Sequence, residues 1–181
     1  TAEALGSSLN NQMAGTFGDI ATFSFFGNKT ITTGEGGMVS SKNPEFISKA
    51  KHLKSQAVSQ DREYWHDDIG YNFRMTNVQA AIGLSQIEII EDIINKKNYI
   101  NDWYKTALKN YPIQFQKKLP NSISSRWMNA CEFDNEETLK NVRKSLRIND
   151  VETRPAFPLL TDFKMYPKNN ENFIVGEKIS K

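Results

Sequence analysis

From Asn77 to Asn110 the chain carries no proline and a single glycine, Gly83. Ala80, Ala81, Leu84, Ile87, Ile90, Ile94 and Tyr99 recur along it at helical spacing, so the stretch predicts one long helix or two placed end to end. A helix of that length commonly bridges domains, which makes it the feature that divides the chain. Before it, "IATFSFF" (20–26) is a short β-branched and aromatic run, of the kind that forms a strand buried on both faces. "GGMVSS" (36–41) can pair with it after a turn. "NPEFISKAKHLKSQ" (43–56) opens as a helix does, with Asn43 as N-cap, Pro44 at the first position and Glu45 in the first turn. The polar, aromatic-studded loop at 59–76 is long for a bare connection, and its rings argue for packing. After the helical span, strands at 113–116 and 126–133, a helix at 135–149, a strand at 151–154 and a proline-bounded loop predict a small α+β unit.

The charge balance excludes some functions. Lys and Arg number 23 against 21 Asp and Glu, a net charge of +2, and the basic residues are scattered. No strong field points to nucleic acid or a membrane surface. The one cysteine, Cys131, rules out an internal disulfide framework, fits a reducing compartment and, lying in "RWMNACEF", reads as a buried structural thiol. His52 and His66 make no metal-ligand spacing, so no metal is expected. No apolar run approaches a membrane span, and the N-terminus is no signal peptide. "TAEALGSS" and "FIVGEKISK" both read as cut edges of a longer chain.

Chemistry first shows in "FSFFGNKTITTGEGGMVSS" (23–41). The strand runs into a lone lysine, Lys29, with the Ser24 hydroxyl five residues upstream and Gly34, Gly36 and Gly37 just after. A lysine becomes a nucleophile when its ammonium is partly desolvated or set beside other cations. Glycines let backbone amides approach a ligand, or simply permit positive φ. The combination suits an aldehyde cofactor that carries a phosphate. It also suits an ordinary exposed lysine followed by a common turn.

Three ordered stretches carry a resemblance: "TAEALGS" (1–7), "GDIATFSFFGNKTITTGEGGM" (18–38) and "GYNFRMTNVQAAIG" (70–83). They are similar to the motifs of the DegT/DnrJ/EryC1/StrS family of sugar aminotransferases. "DREYWHDDIGYN", "RWMN" and "VETRPAFPLL" are similar to its perosamine-synthase branch. The resemblance implies an α/β, aspartate-aminotransferase-like (fold type I) architecture. Residues 1–88 would be the C-terminal part of the large cofactor-binding domain, and 89–181 the linking helix and an incomplete small α+β domain.

It also implies pyridoxal 5′-phosphate as cofactor. Lys29 would bond the cofactor aldehyde and shuttle the proton, Ser24 would bind the phosphate, and Glu3 would contact the ring or its 3-hydroxyl. Asn72 would reach the neighbouring subunit's cofactor in a homodimer. Arg74 and Arg154 would face anionic substrate, or else form structural ion pairs. The expected reaction transfers an amino group from glutamate to a nucleotide-linked 4-keto-6-deoxysugar, in the cytoplasm, for O-antigen sugars. UDP-linked or 3-keto acceptors remain open, as does a truncated, non-catalytic piece.

The family's pyridine-binding Asp would immediately precede Thr1. Members that carry histidine at the lysine position perform a dehydration, a branch that Lys29 disfavours. Ala57 departs from the pattern, because relatives usually place glycine there.

Overall fold

The computed structural model describes residues 1–166 and 173–180. In chain order the elements are strands β1 (Ser8–Leu9), β2 (Gln12–Met13), β3 (Ile20–Ser24) and β4 (Gly37–Ser41), and helices α1 (Pro44–Lys54), α2 (Asn77–Ile87) and α3 (Ile90–Ala107). There follow β5 (Ile113–Phe115), β6 (Ser122–Ile123), β7 (Cys131–Phe133), α4 (Glu136–Ile148), a 3₁₀ turn at Leu160–Asp162 and α5 (Ile174–Ser180). They group into two compact units. The first is Thr1–Tyr104 with Lys118–Met128, and the second is Lys105–Lys117 with Asn129–Lys181. The units thus part inside α3, and residues 118–128 group with the first unit.

In the first unit β3 and β4 pair antiparallel over five positions, from Ile20 opposite Ser41 to Ser24 opposite Gly37. β3 is not buried on both faces as expected. Among the described residues β4 is its only partner, and Ile20 and Thr22 lie exposed. The buried apolar residues of the unit, Phe25, Ile31 and Ala57, flank the turn that follows β3 and the end of α1. The helical span divides as two helices end to end. α2 starts on a complete capping box, in which Thr76 and Gln79 satisfy each other's backbone N–H. α1 begins as its sequence predicts, with Asn43 accepting from Glu45 N–H and Pro44 at the first position.

A small antiparallel sheet of order β2-β1-β6 ties the chain's start to residues 122–123. Its strands are two residues long, too short to leave a periodic signal.

In the second unit β5 and β7 form an antiparallel pair, and α4 is capped by Asn135, which accepts from Thr138 N–H at 2.8 Å. The strand expected over 126–133 shrinks to its last three residues, because Arg126 holds φ +50 and cannot continue a ladder. Residues 151–154 form no ladder. Cys131 is exposed rather than buried, since β7 is half of a two-stranded sheet. No helix among the described residues is long and apolar enough to cross a membrane.

Candidate active site

The turn after β3 is held by its own hydroxyls. Thr32 Oγ1 donates to Phe25 O at 3.0 Å and accepts from Gly34 N–H at 2.9 Å, and Thr33 Oγ1 donates to Glu35 O at 2.6 Å. Gly34 and Gly36 sit at φ +80 and +142, where an L side chain is strained. A Cβ on Gly36 would also meet Thr33 Oγ1 at 2.7 Å. α2 clamps the same turn from outside. Gln86 Nε2 donates to Thr32 O at 2.7 Å while its Oε1 accepts from Thr32 N–H at 3.0 Å. Gln79 Nε2 donates to Glu35 O at 3.1 Å. The sequence "NKTITTGEGG" is therefore anchored on both sides, and Lys29 projects from a fixed backbone.

Lys29 is not a solvated surface lysine. Its side chain is only 13% exposed, and its Nζ forms an ion pair with Glu3 Oε1. On another side Nζ lies 4.6 Å from the ring centroid of Trp127, within cation–π range. Of the residues proposed from sequence, the structure thus brings together Lys29 and Glu3.

Ser24 ends β3, and its Oγ accepts from Phe26 N–H at 3.4 Å, which leaves its own O–H available as a donor. Asn72 forms an isolated bridge with Ser55, and Arg74 is exposed in the segment that leads into α2. No hydrogen bond joins Ser24, Asn72 or Arg74 to Lys29 among the described residues. Arg154 belongs to the second unit, where its Nε and Nη2 donate to Glu152 Oε1 at 3.1 and 3.0 Å.

Sequence reasoning missed the role of Trp127. Its stretch is remote from Lys29 in the chain, yet Trp127 Nε1 donates to Asn28 O at 2.7 Å. Lys97 Nζ donates to Trp127 O at 3.3 Å, and burial holds the Lys97 ammonium below the usual lysine range. The one available signal was a tryptophan set among polar residues in "SSRWMN", since indole N–H groups usually find a partner when buried.

The fold is that of solved sugar aminotransferases. PseC of Helicobacter pylori, an aminotransferase involved in the biosynthesis of pseudoaminic acid, superposes with a TM-score of 0.89 at 24% identity, over 99% of this chain and 50% of that one. A sugar aminotransferase from Streptococcus pneumoniae in its PLP-form gives 0.81 at 25% identity, over 91% and 45%. The architecture is accordingly the expected α/β fold type I.

Among curated proteins, the GDP-perosamine synthase of Escherichia coli O157:H7 is 42% identical over 178 residues, 98% of this chain and 49% of the relative. That of Vibrio cholerae is 43% identical over 167 residues, 91% and 46%. The chain spans about half the length of the curated relatives it matches. The family model for these enzymes matches residues 1–181, so with the fold and the motifs around Lys29 in agreement, the chain belongs to the DegT/DnrJ/EryC1/StrS aminotransferase family.

Proposed function

We propose that the intact protein is a pyridoxal 5′-phosphate-dependent aminotransferase. It moves an amino group from glutamate to the 4-keto carbon of a nucleotide-linked 6-deoxysugar, with GDP-4-keto-6-deoxymannose as acceptor, to supply O-antigen sugars of lipopolysaccharide. The observation that carries this reading is Lys29: a nearly desolvated amine, paired with Glu3 and projecting from a turn anchored on both sides. The identity to GDP-perosamine synthases supports the choice of acceptor. The residues present fit the cofactor. Lys29 offers a sequestered amine for an aldehyde, Ser24 a hydroxyl hydrogen for a phosphate oxygen, and the glycine turn a backbone that side chains would obstruct.

When bound, the cofactor supplies an aldehyde carbon and an electron-withdrawing ring. Lys29 Nζ would hold the cofactor at its aldehyde and would carry the proton that passes to the sugar carbon. Glu3 would orient that nitrogen through their ion pair. Ser24 Oγ donates to the phosphate, and Asn72 serves the neighbouring subunit's site in a homodimer. Arg74 and Arg154 present forked donors to the carboxylates of glutamate or to nucleotide phosphates, Arg154 giving up Glu152 to do so. The enzyme works in the cytoplasm, where its nucleotide-linked substrates are made.

Incubation of the intact protein with pyridoxal phosphate, glutamate and GDP-4-keto-6-deoxymannose should yield the 4-amino sugar by mass spectrometry. Lys29→Ala should lower turnover by about 10³-fold or more. A protein that shows no cofactor absorbance and aminates no nucleotide-linked 4-ketosugar would end this reading.

A further inference from the structure

We infer that Trp127 is a positioning residue for Lys29: the face of its indole holds the lysine nitrogen in place and keeps water from one side of it. This deepens the proposed function and rests on Lys29 being the cofactor lysine. Three contacts fix the indole. Its face lies 4.6 Å from Nζ, and its own Nε1–H is spent on Asn28 O, the carbonyl next to Lys29, at 2.7 Å. Its backbone carbonyl is held by Lys97 Nζ at 3.3 Å. The residue before it, Arg126, is 9% exposed and adopts a left-handed φ of +50, a conformation retained only where the surroundings require it. Glu3 holds the ammonium by charge, but its own side chain is 44% exposed. The flat ring restricts where Nζ can go, while the carboxylate supplies attraction. The two are complementary.

The test has two arms, both on the intact protein. In the first, without cofactor, lysines are pulse-acetylated and mapped by peptide mass spectrometry, with the exposed Lys49 as reference. Trp127→Leu should speed acetylation of Lys29 by about fivefold, the rate equivalent of a partly desolvated cation–ring contact. Lys97, which donates to the backbone carbonyl that every variant at Trp127 keeps, should not change. If Lys29 is unchanged in folded Trp127→Leu, or if Lys97 accelerates equally, Trp127 is merely structural and the inference is overturned. Should Trp127→Leu fail to fold, Trp127→Phe decides: it keeps a ring but loses the tether to Asn28, and an unaltered Lys29 rate in it overturns the inference as well.

In the second arm, pyridoxal phosphate is added and trapped with borohydride. The wild type should carry the adduct on Lys29, with the yield falling severalfold in Trp127→Leu and to an intermediate level in Trp127→Phe, which keeps a ring and loses the tether to Asn28. Adduct yields equal in wild type and Trp127→Leu count against the inference. Absence of any adduct on wild-type Lys29 overturns the aminotransferase reading instead, and leaves the first arm to judge Trp127.

Discussion

Ala57 is fully buried and sits at φ +50, directly after Gln56 at φ +65. A left-handed backbone of this kind favours glycine over alanine. Gly70 packs against the same turn so closely that a Cβ there would lie 2.3 Å from Ala57 N. Replacing Ala57 with glycine removes a left-handed penalty of about 1–2 kcal/mol and forfeits a buried methyl worth about 0.8 kcal/mol. Ala57→Gly is therefore expected to raise stability by about 0.5 kcal/mol, whereas the branched Ala57→Val should lower it by about 2 kcal/mol; chemical denaturation of both variants checks the pair.

Cys131 gives a second residue-scale expectation. Its surface is open, yet enough neighbouring atoms desolvate the thiol to push its pKa up. A raised pKa means less thiolate at neutral pH than an ordinary cysteine offers. Iodoacetamide should then alkylate Cys131 slowly at pH 7, with a rate profile whose midpoint lies above that of a free thiol. A profile at or below it would contradict the desolvation.

At the scale of elements, the lysine turn depends on α2. Gly83 lies buried in the helix, and a Cβ there would meet Thr33 Cγ2 at 2.9 Å. Gly83→Ala should lose about 1–3 kcal/mol to overpacking, even though alanine is the better helix former by about 1 kcal/mol. Gln86→Leu strips both hydrogen bonds from Thr32 and leaves its backbone groups without partners, at a cost of about 1–3 kcal/mol. Thermal melts of the two variants, with trapping yield at Lys29 as a second readout, test whether the clamp also serves the site.

Much of this level was readable in the sequence. The start of α1 follows from Asn43 and Pro44, the two helices from their spacing, and the β3–β4 pair from the apolar runs around the glycine turn. What stayed hidden is non-local. β1 pairs with β6 from the other end of the chain, Trp127 reaches Asn28, and Arg126 takes a left-handed conformation that nothing about arginine announces. Ser24, Asn72 and Arg74 were named by resemblance, and among the described residues no hydrogen bond of theirs reaches Lys29.

For the whole molecule the telling quantity is surface. The chain exposes 14532 Å², while a folded monomer of its 20.7 kDa mass would expose ~9,000 Å² by size scaling. Exposed large apolar side chains, Phe17, Ile69, Phe73, Val78 and Trp103 among them, account for part of the excess. Patches of this kind mark surfaces that want a partner. This chain expressed by itself is expected to raise the fluorescence of an apolar dye and to associate as its concentration increases. Sedimentation velocity across a dilution series would show it, and a dye-silent monomer at all concentrations would refute it.

The bond from Trp127 to Asn28 also has a consequence for timing. It spans 99 residues, and at ~5–20 residues per second the ribosome takes roughly 5–20 s to cover that distance. Through that interval the hairpin β3–β4 and its turn can form locally and Lys29 can pair with Glu3, but the indole is not yet there. The indole covers its side of the lysine only when the returning stretch arrives, so a slow or stalled ribosome prolongs the interval in which that side is open.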